Sequence, residues 1–177
     1  MNNINLNINY LNTKYNLVNY EIDKIIKKYL HDFYNNKFNN NTNYSLTISY
    51  KKEIYKNYLS IFFYITIKLG IKIINKIEIL NYNTLDNKFI TINDALKMNK
   101  SLLFNLSKIS QKYLIKNNYF NNKEMLIEKT KPIKNNYNNF IITKEGIIFF
   151  FEVNSKYLKV TIPFKYLKKI KRFRPFY

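Results

Sequence analysis

The segment that decides the fold of this chain lies near its C-terminal end. Its sequence is Asn138-Asn139-Phe140-Ile141-Ile142-Thr143-Lys144-Glu145-Gly146-Ile147-Ile148-Phe149-Phe150-Phe151. Apolar runs on both sides of Thr143–Gly146 predict two strands joined by a tight turn, and Gly146 can adopt the positive φ that such turns require. The chain has only two glycines, so a glycine at this position is a strong hairpin signal. Val160–Phe164 predicts a third strand, which ends at Pro163 and leads into a short basic helix over 164–169.

The remaining sequence alternates between strand and helix patterns. Apolar residues at i, i+3, i+4 and i+7 predict a helix over 21–33. Asn93 or Asp94 is expected to cap a second helix and Ser101 a longer third one, whereas Pro132 should prevent any helix from continuing. Period-2 alternation predicts strands over 4–8, 46–50, 59–68 and 71–82, with a loop over 51–57 and a bend at Gly70. A short strand is predicted over Phe89–Thr91.

These patterns predict an α+β fold, in which helices pack on an antiparallel sheet. We expect two small subdomains that share a core, over residues 1–72 and 73–170. Residues 171–177 would form a basic aromatic tail. Gly70, Gly146 and Pro163 are the residues that we expect to fix the turns of this scaffold.

The charge of the chain restricts its partners. Lys and Arg total 30 against 11 Asp and Glu, which gives a formal net charge of +19. Such a field attracts polyanions and repels basic proteins. The candidate partners are nucleic acid, an anionic wall polymer, an anionic membrane surface or an acidic protein. The alternative is that the lysines simply form a solvated surface.

The N-terminal sequence and the cysteine count restrict the compartment and the chemistry. Asparagines interrupt every apolar stretch among the first twenty residues, and no run of apolar residues is long enough to span a membrane. We therefore expect a cytoplasmic protein as the sequence stands, or an envelope or extracellular one if a leader precedes Met1. Cysteine is absent, which excludes disulfides, thiol nucleophiles and cysteine-ligated zinc.

Catalytic patterns are scarce. His31 is the only histidine, and it falls among lysines on the polar side of the predicted first helix. No glycine-rich phosphate loop and no metal-ligand motif is present, so we expect no cofactor and no bound metal. A pair of carboxylates could still act as in glycoside hydrolases. Asp94 is expected to cap a helix, however, and Asp86 and Glu145 to lie in turns.

Basic and aromatic residues interleave in the C-terminal part of the chain. Aromatic rings can stack on bases while cations follow phosphates, so this pattern is a candidate polyanion contact. The alternative is that these lysines protect a sheet edge from pairing with another chain. The cationic candidates are Lys156, Lys159, Lys165, Lys168, Lys169, Lys171, Arg172 and Arg174, and the aromatic candidates are Tyr157, Tyr166 and Phe173.

Several segments, in order, resemble the paired extracellular domains of the RsiV anti-sigma factor and the accessory region of the peptidoglycan deacetylase PdaC. They are the helix over 21–33 with Tyr44-Ser45-Leu46-Thr47-Ile48-Ser49-Tyr50, Tyr58-Leu59-Ser60-Ile61-Phe62-Phe63-Tyr64, Leu80-Asn81-Tyr82-Asn83 with Phe89-Ile90-Thr91-Ile92-Asn93-Asp94-Ala95-Leu96, and the opening hairpin with Val160–Phe164. The likeness covers nearly the whole chain. In these terms residues 1–72 correspond to the PdaC-accessory part and 73–170 to the C-terminal RsiV part.

The resemblance implies a non-enzymatic domain pair without the catalytic or transmembrane parts of those proteins. In the anti-sigma factor this pair binds lysozyme, but a +19 chain would repel a basic lysozyme. We therefore expect a non-enzymatic binding or structural domain that contacts a protein or an anionic cell-envelope or spore polymer. The alternatives are salt-dependent binding of nucleic acid or another polyanion and, more distantly, a hydrolase with a carboxylate pair.

Overall fold

The structure is a computed structural model that describes residues 3–36, 42–117, 123–154 and 156–169, without the side chains of Asn3, Lys168 and Lys169. It confirms the α+β fold. The chain divides into two compact units. Unit 1 comprises Met1–Lys52 and Ile61–Glu78, and unit 2 comprises Glu53–Ser60 and Ile79–Tyr177. The predicted boundary between residues 72 and 73 stays a prediction.

The described residues form the following elements, given in chain order. They are β1 (Asn3–Ile8), α1 (Asn16–Tyr34), β2 (Asn43–Tyr55), β3 (Tyr58–Leu69), β4 (Lys72–Asn83), β5 (Lys88–Phe89), α2 (Ile92–Leu96), α3 (Lys100–Lys116), α4 (Lys123–Lys129), a 3₁₀ turn (Lys134–Tyr137), β6 (Phe140–Ile142), β7 (Gly146–Val153), β8 (Lys156–Pro163) and α5 (Phe164–Lys169). No helix in the described ranges is long and apolar enough to cross a membrane.

The strands form two sheets. The first has the order β1-β2-β3-β4-β5, and the second has the order β6-β7-β8. β1 runs parallel to β2, whereas the β4–β5, β6–β7 and β7–β8 pairs are antiparallel. Two-residue turns at 56–57 and 70–71 join β2 to β3 and β3 to β4. Turns this short connect antiparallel neighbours, so β2, β3 and β4 form the expected meander.

Unit 1 buries the apolar stripe of α1. Val18, Ile22, Ile26 and Phe33 are at most 2% exposed, and burial of this stripe stabilises a helix that has no capping side chain at its first residue. The strands of unit 1 contribute an alternating apolar face to the same core. The buried strand residues are Leu46, Ile48, Ile61, Phe63 and Ile65.

Unit 2 has its own core, built by the second sheet and the helices that contact it. α3 and α5 contact β8, and α4 contacts β7. Tyr137 lies at the centre of this core, with its ring edge-on to Phe149 at 5.2 Å and to Phe151 at 5.5 Å. Its hydroxyl donates to the Thr130 carbonyl oxygen at 3.0 Å. Burial raises the pKa of Tyr137 to about 12.

A buried polar pair links the two sheets within unit 2. The Ser60 hydroxyl donates to Asn81 Oδ1 at 2.6 Å and accepts from the Ile142 N–H at 3.1 Å. Asn81 Nδ2 donates to the Phe140 carbonyl oxygen at 2.8 Å. Each of these buried polar atoms therefore has a partner, which avoids the desolvation cost of an unsatisfied group.

Gly146 is the hairpin residue, but the reason for glycine differs from the one expected. Its φ is 155° rather than that of a left-handed turn residue. A Cβ at this position would lie 2.8 Å from Pro163 Cα and closer still to the Ile162 carbonyl oxygen. Close approach of the β8 backbone therefore requires the glycine. Gly70 does occupy a left-handed turn, with a φ of 63°.

Both predicted helix caps are wrong. Thr91, rather than Asn93 or Asp94, caps α2, because its hydroxyl accepts from the Asp94 N–H while the Asp94 carboxylate accepts from the Thr91 N–H. This reciprocal capping box satisfies two N–H groups at once. Asn99 rather than Ser101 caps α3, with its side chain accepting from the Leu102 N–H at 2.8 Å.

Two strand predictions also need correction. Residues 51–55 continue β2 instead of forming a loop, so the turn to β3 contains only two residues. The short strand expected at Phe89–Thr91 is Lys88–Phe89. β1 is a strand, as predicted, but its Ile4 and Leu6 side chains are 42% and 40% exposed, so it adds little to the core.

Candidate functional site

The lysines of α3 form the most regular charged feature among the described residues. We define the α3 lysine face as Lys100, Phe104, Lys108, Lys112 and Lys116, which succeed one another at four-residue intervals. All five are exposed. At 3.6 residues per turn, this spacing places them in one slowly winding row along the helix.

The apolar side of α3 fixes the orientation of this row. Leu102, Leu106 and Leu114 are at most 7% exposed and belong to the core of unit 2. Ser107 and Ser110 are buried on the same side. Because this side is held in the core, the opposite side with its lysines faces solvent.

The charges of the α3 lysine face have no neutralising partners within the described part of the chain. α3 contains no Asp or Glu, and none of its four lysines forms an ion pair with any other described residue. Lys108–Lys112 and Lys112–Lys116 are like-charged pairs four residues apart, which destabilise a helix by about 0.2–0.5 kcal/mol each. Lys108 Nζ instead lies 4.4 Å from the centroid of the Phe104 ring.

The lysines of α1 show the contrasting arrangement. Lys24 Nζ lies 2.8 Å from Glu21 Oε1, and Lys28 Nζ lies 2.7 Å from Glu78 Oε1. The hydrogen bond from Lys24 to Glu21 raises the pKa of this lysine. Two of the three lysines of α1 are thus paired with acids, whereas the four lysines of α3 have no ion pair within the described residues, and this unpaired row suits a multivalent anion.

The structure places the C-terminal candidates on two elements. Lys156 and Lys159 are exposed, but they are three residues apart on β8 and therefore point to opposite faces of the sheet. Tyr157 is half-buried on the Lys159 side. On α5, Lys165 Nζ lies 5.4 Å from the ring centroid of Tyr166, which is 45% exposed. Lys168 and Lys169 belong to α5, but their side chains are outside the description, and Lys171, Arg172, Phe173 and Arg174 lie outside the described residues altogether.

The structure also brings two carboxylates into one small cavity of about 110 Å³, lined by Tyr58, Asn83, Asp86, Lys88, Ile90, Asp94 and Ala95. Asp86 Oδ2 accepts from Asn83 Nδ2 at 2.7 Å. Burial, reinforced by the charge of Asp86, raises the pKa of Tyr58. The Thr91 hydroxyl and N–H hold the pKa of Asp94 below its usual value.

Asp94 is unsuited to the acid role in a catalytic carboxylate pair. One carboxyl of such a pair must stay protonated near neutral pH, which requires a raised pKa. Asp94 shows the opposite shift, because it accepts two hydrogen bonds as part of the α2 cap. His31 is exposed on α1, and its Nδ1 lies 3.9 Å from Asp32 Oδ1. In the described part of the chain, no three His, Cys, Asp or Glu residues lie close enough to bind a metal ion.

A wider groove of about 390 Å³ lies on the same unit. Its lining comprises Ile79, Asn81, Ile90, Thr91, Ile92, Lys134, Asn135, Asn138 and Phe140. Asn81 is 6% exposed and uses its carbonyl and one amide hydrogen in the link between the sheets. The exposed side chains of Lys134, Asn135 and Asn138 provide cationic and amide groups at the mouth of the groove.

No family model and no curated protein matches the chain. The fold is similar to that of DUF3298 proteins. A DUF3298 family protein from Pseudomonas aeruginosa PAO1 has a TM-score of 0.55 at 16% identity, over 71% of this chain and 61% of its own. A DUF3298 member from Bacteroides fragilis NCTC 9343 has the same TM-score at 18% identity, over 90% of this chain and 70% of its own. The chain thus spans less than two thirds of the Pseudomonas protein, and at these identities the similarity concerns the fold alone.

Proposed function

We propose that this protein is a non-enzymatic binding domain whose ligand is an anionic polymer. The observation that carries the proposal is the α3 lysine face, a row of four unpaired lysines on a helix whose other side belongs to the core. A row without acids keeps its full positive potential, so it attracts a chain of anions more strongly than the paired lysines of α1 do. An acidic protein surface is the other partner that this charge pattern fits.

The fold comparison supports the non-enzymatic part of the proposal. The similarity to DUF3298 proteins agrees with the resemblance to the RsiV and PdaC domains, in which the paired domains are binding or accessory regions. A basic lysozyme remains an unfavourable partner because of the charge of +19. The hydrolase alternative loses support, because the carboxylate cavity pairs Asp86 with an Asp94 whose pKa is lowered.

The test is a comparison of two variants with equal net charge. The first carries Lys→Gln at Lys100, Lys108, Lys112 and Lys116. The control carries Lys→Gln at four exposed lysines of unit 1: Lys51, Lys52, Lys68 and Lys72. Each variant lowers the formal charge of +19 by four, so only the position of the lost charges differs.

Binding of long-chain inorganic polyphosphate would be measured by competition against a fluorescent polyanion at constant ionic strength. The proposal predicts that the α3 variant loses at least tenfold in affinity, whereas the control changes by less than about threefold. Equal losses in both variants would mean that the net charge rather than the α3 lysine face determines binding. Absence of binding of polyphosphate and of every other polyanion probe by the unmodified protein would refute the proposed function.

A further inference from the structure

We infer that the α3 lysine face is a binding surface for single-stranded nucleic acid. This inference rests on the proposed function and specifies its ligand. The row combines unpaired cations with an exposed aromatic ring, and these are the two components of single-strand binding surfaces. The cations contact phosphates, and the ring offers a face on which a base can stack.

The dimensions of the row suit a short strand. A helix rises 1.5 Å per residue, so the lysines at 108, 112 and 116 are spaced by about 6 Å along the axis. From Lys100 to Lys116 the row spans about 24 Å. At a rise of about 3.4 Å per stacked nucleotide, this length corresponds to at most about seven nucleotides.

Phe104 is the residue that favours a nucleic acid over other anionic polymers. It lies between Lys100 and Lys108 in the row and is 51% exposed. Lys108 Nζ lies over its ring at 4.4 Å from the centroid, which is a cation–π contact on one face. The exposed half of this side chain offers surface on which a base can stack, whereas a polyphosphate or a wall polymer without aromatic groups would give this exposed ring no partner.

Two other occupants fit the geometry less well. A helix that binds a membrane surface must place its apolar side in the lipid, but Leu102, Leu106 and Leu114 of α3 are buried in the core of unit 2. A duplex presents stacked base pairs whose faces are covered, so it cannot stack on Phe104. Single-stranded bases are exposed and can stack on it without prior unpairing.

The experiment compares three fluorescein-labelled probes with the full chain by fluorescence anisotropy: a twelve-nucleotide oligothymidylate, an abasic oligonucleotide of the same length and charge, and a duplex. The inference predicts that oligothymidylate binds more tightly than the abasic strand and the duplex. Stacking of one base contributes about 1–3 kcal/mol, so Phe104→Ala should weaken oligothymidylate binding by about fivefold to 150-fold. The same variant should leave binding of the abasic strand unchanged.

Tyr20→Ala provides a matched control. Tyr20 is 62% exposed on α1, and Lys24 Nζ lies 5.5 Å from its ring centroid, so it is also an exposed aromatic ring beside a lysine. Its removal should leave oligothymidylate binding unchanged. Circular dichroism and thermal unfolding would confirm that both variants fold.

Each outcome decides between the two proposals. Equal binding of oligothymidylate and the abasic strand, unaffected by Phe104→Ala, would overturn the inference while leaving anionic-polymer binding in place. Tighter binding of the duplex would also overturn it. If none of the three probes and no polyphosphate binds the unmodified protein, the proposed function itself fails.

Discussion

Gly146→Ala tests the packing of the second sheet. An alanine at this position must adopt a φ of 155°, a region that is essentially restricted to glycine and costs about 1–3 kcal/mol for other residues. Its Cβ would also collide with the main chain at Ile162 and Pro163. Main-chain atoms cannot rotate away, so the Gly146–Pro163 end of the β7–β8 pair must open, with the loss of about one or two hydrogen bonds at roughly 1 kcal/mol each.

Together these terms predict a loss of about 2–5 kcal/mol in the free energy of unfolding, a large part of the stability of a typical domain. Gly70→Ala is the matched control. Gly70 has a φ of 63°, and a Cβ at this position would lie 2.8 Å from the Cγ2 methyl of the Thr42 side chain, which can rotate away. This substitution should cost only about 1–2 kcal/mol, the usual cost of the left-handed region.

The measurement is urea denaturation of both variants, followed by circular dichroism. Gly146→Ala should lower the midpoint at least twice as much as Gly70→Ala. If the two variants lose the same stability, or if Gly146→Ala loses less than about 1 kcal/mol, the close approach of β8 to Gly146 is not the reason for glycine at this position.

Three further predictions concern polar groups. Ser60→Ala should cost about 1–3 kcal/mol in urea denaturation because it leaves the buried Ile142 N–H without its acceptor. Half-buried Thr66→Ala, which removes only an exposed hydrogen bond to Asn75, should cost less than about 0.5 kcal/mol. The pKa of Tyr137 is raised to about 12, which means that the folded state favours the neutral phenol. The resulting contribution to the free energy of unfolding is complete below about pH 10 and is lost as the pH rises towards 12. Between about pH 10 and pH 12, the free energy of unfolding of Tyr137→Phe should therefore fall by about 2 kcal/mol less than that of the unmodified protein. Urea denaturation at a series of alkaline pH values measures this difference. The pKa of Asp94 is lowered, so its contribution to the free energy of unfolding is present above about pH 4 and is lost at lower pH. Asp94→Asn should remove this dependence of stability on acid pH.

Much of the fold could be predicted because alternation and periodicity report burial directly. The α1 stripe and the Gly146 hairpin both appear where the sequence places them. α1 begins earlier than expected, at Asn16, because its first turn is stabilised by burial of Val18 rather than by a recognisable cap. The position of Gly146 in the hairpin was predicted correctly. The close approach of the β8 main chain, which requires a glycine there, is a contact between distant parts of the sequence and cannot be predicted from a local pattern.

The caps show where local signals compete. Asn93, Asp94 and Ser101 are all good capping residues, so composition alone does not choose among them. Thr91 prevails because its hydroxyl and the Asp94 carboxylate satisfy each other's N–H groups. A search for the Thr-x-x-Asp spacing rather than for single capping residues would have found it.

The candidate site was the least predictable part. The C-terminal lysines were predicted to contact a polyanion because they are close together in sequence. In the structure, Lys156 and Lys159 lie on opposite faces of their strand. The α3 lysines are dispersed in sequence and become a row only at helical spacing. The absence of acids from 100–116 was a readable signal. Asp86 and Asp94 line one cavity because of the turn around β5, so this arrangement could not be predicted from spacing.

The salt dependence of polyanion binding tests the central claim most directly. For a single-stranded polyanion, the slope of log K against log salt concentration is about −0.7 per contacting cation. Replacing the four lysines of the α3 lysine face by glutamine should therefore make the slope less negative by about 3. The control with Lys51, Lys52, Lys68 and Lys72 replaced should keep the original slope. An unchanged slope in the α3 variant, or an equal change in the control, would contradict binding through this face.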